Sequence, residues 1–262
     1  MNKKREIILL IVLIFLFIFV NYNFIDSSLK NFVKDSDVKF VERVIDGDTI
    51  VVSNNTHIRL LGINTPEKNE LYDIEAMNSL IEMVSNKTVT LEYGKERTDL
   101  YGRTLAYVIL DGKNINAEQV RRGLANTFIY NNDEYTSSLN EAWSECLTNG
   151  INLCEKSNNR CAECIELKDL NLKTQKATFY NNCSFDCDLT KWNIKDEGRK
   201  NFFFGNFILG SDKEVNVIVG NESDNGNNLF WKGYDYVWTS TGDTLFLRDE
   251  NGKLVLWRGI NR

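Results

Sequence analysis

Histidine is almost missing from this chain: 262 residues contain one, His57. A Ser-His-Asp triad, a two-histidine zinc centre or a histidine acid–base pair would each have to use that residue. It falls in a hairpin beside a turn, where a surface side chain is expected, so a general base is sought among the carboxylates. An excess of positive charge is missing too. Lys and Arg number 31 against 37 Asp and Glu, a formal net charge of -6. That excludes a protein that coats nucleic acid by bulk electrostatics, but not one with a local cationic pocket. Internal repeats and low-complexity tracts are absent, and 42% hydrophobic with 26% charged residues is the composition of a folded chain. The length exceeds one small core and suits two domains plus a targeting segment.

A long membrane span is also lacking. The unbroken apolar run covers residues 7–20, preceded by Lys3, Lys4 and Arg5. That is short for roughly 30 Å of hydrocarbon unless flanking residues help. A basic flank followed by an apolar run marks residues 1–25 as a membrane-targeting element. No small-x-small cleavage site follows, since the next residues are Asn21, Tyr22, Asn23 and Phe24. An uncleaved signal-anchor is therefore favoured over a cleaved signal peptide. Either places the rest of the chain outside, membrane-anchored or secreted. Residues 26–37 read as a polar linker.

From residue 38 the pattern is β-rich. Residues 39–45 alternate, residues 49–52 are β-branched, and a Ser53-Asn54-Asn55 turn leads into residues 57–61, a hairpin signature. Residues 70–85 switch to helical spacing, with Ala76, Leu80, Met83 and Val84 on one face. Strands are expected at 87–93 and 103–110, the second turning at Asp111-Gly112. Asn116 is read as the N-cap of a short helix ending at Gly123, and a third helix spans about 134–148 with Gly150 beyond it. Strands, helix, strands, helix, helix is the order of a five-stranded OB barrel packed on three helices.

Four segments carry chemistry. Asp46-Gly47-Asp48 sits at a strand entrance, where carboxylates can share a calcium or magnesium site. Asn64, Thr65 and Glu67 follow a strand end and are turned by Pro66, again as hard oxygen ligands. Arg59 and Arg103 lie on strands, and two guanidinium groups near a metal and a carboxylate suit a phosphodiester. Val120 to Ala125, with Arg121 and Arg122, is the fourth. Any one segment alone reads as a turn or a solvated face.

As an ordered set, I-D-G-D-T, R-L-L-G-I-N-T-P-E, D-L-Y-G-R and V-R-R-G-L-A resembles the staphylococcal-nuclease family over residues 38–153. The resemblance implies an OB barrel with three helices and hydrolysis of DNA or RNA phosphodiesters leaving a 3′-phosphate. It makes Arg59 and Arg103 the phosphate-binding catalytic arginines and Glu67 the carboxylate that activates water. Asp48, the Asn64 side chain and the Thr65 carbonyl would be calcium ligands. It also makes Tyr101 a nucleotide-binding tyrosine. Beside the resemblance, Phe128 or Tyr130 is read either as a second aromatic wall or as core packing, and Lys95 and Arg97 either as phosphate contacts or as solvated loop charges. The best-known members carry aspartate where this chain has Asn64, so weaker calcium binding is expected, without loss of activity. The competing readings are a non-catalytic nucleic-acid or protein-binding module, which only Asn64 favours, and a surface adhesion protein. No obligate protein partner is evident.

All six cysteines lie beyond the chemistry: Cys146, Cys154, Cys161, Cys164, Cys183 and Cys187. An even number in an exported chain reads as disulfides, with Cys146–Cys154 a candidate local bridge. Cys161-x-x-Cys164 followed by Cys183-x-x-x-Cys187 also matches zinc-ribbon spacing. Residues 154–162 are read as the junction. After it, short runs rich in Phe, Val, Tyr and Trp alternate with Asn, Gly and Asp at 176–180, 201–209, 215–219, 244–247 and 254–257, the pattern of a β-sandwich. Asp188-Leu189-Thr190-Lys191-Trp192 and the strand 242–249 make residues 163–262 resemble a lamin-tail domain. That implies an immunoglobulin-like sandwich used for interaction or substrate presentation, with Trp192, Trp231, Trp238 and Trp257 in its core.

Overall fold

In the computed structural model, residues 3–22, 36–129, 131–239 and 243–260 are described. The chain forms two compact units, Met1–Asp37 and Val38–Arg262. In the first, α1 (Lys3–Val20) holds the apolar run as one helix. Its side chains from Leu10 to Val20 are exposed. Its first turn is charged, and no helix among the described residues is long and apolar enough to cross a membrane. Most of the expected 26–37 linker lies outside the described residues.

The second unit begins with β1 (Ser36–Asp46), β2 (Thr49–Val52), β3 (Thr56–Leu60) and a short β4 (Ile63–Asn64). α2 (Asp73–Val84) leads to β5 (Thr88–Thr98) and β6 (Thr104–Leu110). The strand order β3-β2-β1-β5-β6 is closed by parallel pairing of β3 with β6, Ile58 opposite Thr104. This is the expected five-stranded barrel. The Asp111-Gly112 turn takes positive φ at both residues, 50° and 75°, matching the twist of the strands it joins. Val41, Ile50, Ile58, Leu60, Leu91 and Ala106 are buried in the interior. Each large aliphatic among them contributes roughly 1.5–3 kcal/mol.

After β7 (Lys113–Asn114) comes α3 (Ile115–Arg121), whose N-cap is Asn114, accepting the Ala117 N–H at 3.2 Å. The cap expected at Asn116 is displaced by two residues. Asn116 is wholly buried instead, accepting Val108 N–H at 3.0 Å and donating to the Leu61 carbonyl at 2.8 Å. Its amide thus ties β6 to the residue that follows β3. Beyond β8 (Asn126–Thr127), α4 (Thr136–Asn149) ends at Gly150 in the left-handed conformation. A Cys146–Cys154 disulfide staples that end. His57, expected at the surface, is half-buried on β3.

The remainder is a sandwich. One sheet holds β9 (Ile165–Asn171), β10 (Lys176–Asn181), β15 (Glu214–Val219) and β16 (Asn228–Trp231). The other holds β12 (Asn193–Lys195), β13 (Asn201–Phe203), β17 (Asp243–Arg248) and β18 (Leu254–Ile260). A two-stranded ladder joins β11 (Cys187–Asp188) to β14 (Ile208–Leu209). The single strand expected over 201–209 is therefore two. Phe179, Trp192, Trp231 and Trp238 fill the core between the sheets. Trp257 does not: it is 41% exposed and meets Trp143 of α4 edge-on, ring centroids 5.9 Å apart. Cys161 pairs with Cys187 and Cys164 with Cys183. All six cysteines are thus disulfides, and the zinc-ribbon alternative has no free thiolate to use.

Barrel and sandwich share packing. Phe246 and Leu254 of the sandwich belong to the buried cluster of the barrel. Arg248 is buried at the seam, donating to the Leu153 carbonyl at 2.7 Å, and burial pulls its guanidinium down to about 10.

Candidate active site

Gly47 allows the Asp46-Gly47-Asp48 turn to lie against α2. A Cβ there would stand 2.6 Å from the Ala76 Cβ, so only glycine fits without a shift. Gln119, wholly buried on α3, pins this turn by donating to the Gly47 carbonyl at 2.8 Å and the Ala76 carbonyl at 2.9 Å. Asp48 is thereby aimed inward. Its Oδ2 accepts the Thr65 N–H at 3.1 Å and the Thr65 hydroxyl at 3.0 Å, and faces Arg59 Nη2 at 3.1 Å. Both partners of this ion pair are nearly buried, with side chains 8% and 10% exposed. Removing one partner of such a pair costs about 3–5 kcal/mol.

Arg59 also donates from Nη1 to the Leu60 carbonyl at 2.6 Å and from Nη2 to Asn64 Oδ1. Burial pulls its guanidinium below the ordinary value. Asp48 opposes that, while the nearby cations Arg103 and Arg199 add to it. The Asp46 carboxyl turns toward Asp48, accepting its N–H at 3.0 Å. Partial desolvation first, and the like charge of Asp48 second, push Asp46 up. Asp46 and Asp48, with the amide oxygen of Asn64 beside them, form an oxygen donor set of the kind hard divalent cations take.

Arg103 approaches from the next turn. Asp99 holds it: Nε donates to Asp99 Oδ2 at 2.7 Å, and the Arg103 and Tyr101 N–H groups both bond Asp99 Oδ1 at 2.9 Å. Desolvation works against the Asp99 charge, but these hydrogen bonds outweigh it and hold the carboxyl below the usual range. Arg103 Nη1 reaches the Thr49 hydroxyl at 3.4 Å, next to Asp48. Tyr101 is 77% exposed beneath the Arg103 guanidinium, 5.6 Å from centroid to Cζ.

Arg59, Asn64, Arg103 and Tyr101 line one cleft of about 880 Å³. Lys95 and Phe128 line it as well, whereas Arg97 stacks over Tyr93 at 4.2 Å. Tyr130 lies outside the described residues. Arg121 and Arg122 pair with Glu118, Glu145 and Glu82 on the helices, a structural use.

The opposite wall comes from the sandwich, in residues 196–200 with Tyr236 and Val237. Asn64 Nδ2 donates to the Glu197 carbonyl at 2.7 Å. Glu67 forms an ion pair with Arg199, Nε to carboxylate oxygen at 2.6 Å. Glu70 takes Lys195 and the Asn201 amide, the latter at 2.9 Å. The Glu67–Arg199 pair is half-exposed on both sides, so it is worth ~0–1 kcal/mol. The expected barrel residues therefore converge, but Glu67 meets a sandwich residue. Asp99 and Gln119 position the site without having been singled out. A buried-face glutamine on a helix and an aspartate four residues before an arginine are the signals for them.

Comparison with known proteins falls in the same two parts. The family model described as staphylococcal nuclease homologue matches residues 57–155, and that of the lamin tail domain matches residues 155–262. The chain is 36% identical over 126 residues to the thermonuclease of Staphylococcus intermedius, covering 44% of this chain and 75% of that one. With the thermonuclease of Staphylococcus hyicus it is 38% identical over 112 residues, covering 39% and 66%. The SPbeta prophage-derived endonuclease YokF of Bacillus subtilis (strain 168) is 35% identical over 124 residues, 41% of this chain and 42% of that one.

Proposed function

Since the chain belongs to the staphylococcal-nuclease family, joined at about residue 155 to a lamin tail domain, we propose that it is a calcium-dependent nuclease acting outside the cytoplasm on DNA or RNA. The observation that carries this is the convergence of Arg59, Asn64 and Arg103 on one cleft with Asp48 directly behind.

Asp48, Asp46, Asn64 and the Thr65 carbonyl would hold calcium. The donor set fits, being all oxygen, and the desolvation and neighbouring Asp48 charge that raise Asp46 are what a cation there would relieve. Bound calcium supplies positive charge at a phosphate oxygen. Arg59 and Arg103 bind the remaining phosphate oxygens and stabilise the charge that builds in the pentacoordinate state. Glu67 takes a proton from water as its oxygen bonds to phosphorus. The bond from phosphorus to the 5′ oxygen breaks, and that oxygen leaves with a proton from solvent. The products are a 3′-phosphate and a 5′-hydroxyl.

The basic first turn of α1 and three disulfides in the second unit support export, with α1 as the membrane-associated segment. Incubation of plasmid DNA and RNA with the full chain in calcium, magnesium and chelator tests the reading. Degradation in calcium is expected to stop in chelator and to fall by about 1,000-fold or more in Glu67→Gln, Arg59→Ala or Arg103→Ala. Binding without turnover at millimolar calcium would favour the non-catalytic reading.

A further inference from the structure

The nuclease reading uses one wall of the cleft. The other wall belongs to the sandwich, and its construction points to the same ligand. The loop 196–200 is braced from three directions. Asp196 Oδ1 accepts the Lys200 N–H at 2.9 Å, Asp243 Oδ1 accepts the Glu197 N–H at 3.3 Å, and the Glu197 carbonyl accepts Asn64 Nδ2 at 2.7 Å. The Asp196 and Asp243 carboxylates are thus turned to backbone N–H groups, and that of Glu197 to the Thr244 hydroxyl at 3.2 Å. The cations are turned to the cleft.

Arg199 is half-exposed, and its Nε sits 2.6 Å from Glu67, the residue assigned to activate water. It stands near enough to Arg59 to disfavour that charge, alongside Arg103. Arg59, Arg103 and Arg199 all line this cleft, each with one edge against a carboxylate (Asp48, Asp99 and Glu67), and guanidinium groups so placed keep further N–H donors for a phosphate. Beside them Lys200 Nζ caps the Tyr236 carbonyl at 3.1 Å and lies 4.6 Å above the Tyr236 ring. Tyr236 is 57% exposed and Tyr101, on the barrel wall, 77%. Each cleft wall therefore presents an exposed tyrosine carrying a cation, the combination that holds unpaired bases and their phosphates.

We propose that the lamin-tail domain completes the substrate site, with Arg199 contacting a phosphate at or next to the scissile one and Lys200 with Tyr236 holding the adjoining nucleotide of a single strand. This rests on the nuclease reading for the identity of the ligand. The Glu67–Arg199 contact is a resting position and not a lock, because an ion pair open to solvent on both sides is nearly neutral in free energy and yields to a phosphate. Asn64 has a reason in the same scheme. Its oxygen faces Arg59 and its nitrogen faces Glu197, and an aspartate there has no hydrogen to offer the second contact.

The test uses the full chain as wild type, Arg199→Ala, Arg199→Lys and the double variant Lys200→Ala/Tyr236→Ala. Binding of a fluorescent oligothymidylate is read by anisotropy in chelator across a salt series, and cleavage of the same oligonucleotide is read in calcium. Arg199→Ala is expected to weaken binding about tenfold. It should also lower the slope of log affinity against log salt by about 0.7, the loss of one single-strand phosphate contact. Arg199→Lys should retain much of both, which a merely structural role for the guanidinium would not explain. The double variant should raise KM on the oligonucleotide more than on a dinucleotide, which offers that wall fewer nucleotides to hold. Wild-type cleavage with every variant binding within twofold at unchanged slope would overturn the proposal and leave the nuclease reading intact. A faster Arg199→Ala enzyme with unchanged binding would overturn it in favour of an autoinhibitory contact. Binding that depends on Arg199 without any cleavage would remove the nuclease reading and keep this one.

Discussion

Asp99 shows how a turn residue becomes part of a phosphate site. It accepts two backbone N–H groups and the Arg103 Nε, so the turn and the guanidinium are set by one carboxylate. Asp99→Ala is expected to cut kcat/KM by about 10- to 100-fold through a mobile Arg103, with Asp99→Asn recovering part of it. Steady-state kinetics beside a thermal melt will separate this from unfolding. Asp196 offers a second prediction. Burial, then the charge of Asp243, raise its carboxyl to about 6 from 3.8. The folded form thus binds the proton more tightly than the unfolded chain does. The resulting stability is full below about pH 4 and is lost as pH rises through about 6, at most roughly 3 kcal/mol. Asp196→Asn keeps the acceptor for Lys200 and removes the charge. It is expected to melt higher than wild type at pH 8, with the gap closing by pH 4. At this scale Arg59, Asn64 and Arg103 were legible because each sits in a short local string. Arg199 was not, since it meets Glu67 only through tertiary structure.

Among the elements, α3 links most parts of the barrel site. Its Gln119 reaches across to the Gly47 turn and to α2, holding Asp48 in place through two carbonyls. Gln119→Met preserves volume but strands both acceptors. A loss of about 2–4 kcal/mol in a denaturant midpoint is expected, together with reduced activity. Unchanged stability would mean that the turn is held by Gly47 packing alone. Element type was legible wherever periodicity ran long: α2 and α4 fall where helical spacing placed them, and α3 falls where cap and glycine signals did. The cap of α3 was not, because Asn114 and Asn116 both offer a capping oxygen and only the buried strand carbonyls claim the second. The short β12 and β16 gave too few alternations to be read, and β9 carries charges along an exposed side.

For the whole molecule, two domains were legible from the change in texture near residue 156, but their docking was not. The seam is made of Glu70, Lys195, Asn201 and Arg199, residues that on any other surface would simply be solvated. Beneath them Phe246 packs edge-on to Trp143 at 5.9 Å, and Leu254 joins the barrel core. Residues 38–262 are therefore expected to unfold in one cooperative transition despite two family domains. Calorimetry showing two resolved peaks would contradict it.

The side chain of Asn64 is a single flat group with opposite poles, one turned to Arg59 and the other to the neighbouring domain. It cannot pivot to serve one pole without disturbing the other. A small tilt of the sandwich that draws the Glu197 carbonyl away would free the amide nitrogen, while Arg59 stays held by Asp48 and the Leu60 carbonyl. The seating of the sandwich is thus felt in the barrel at one amide, beside the guanidinium that faces the cleft.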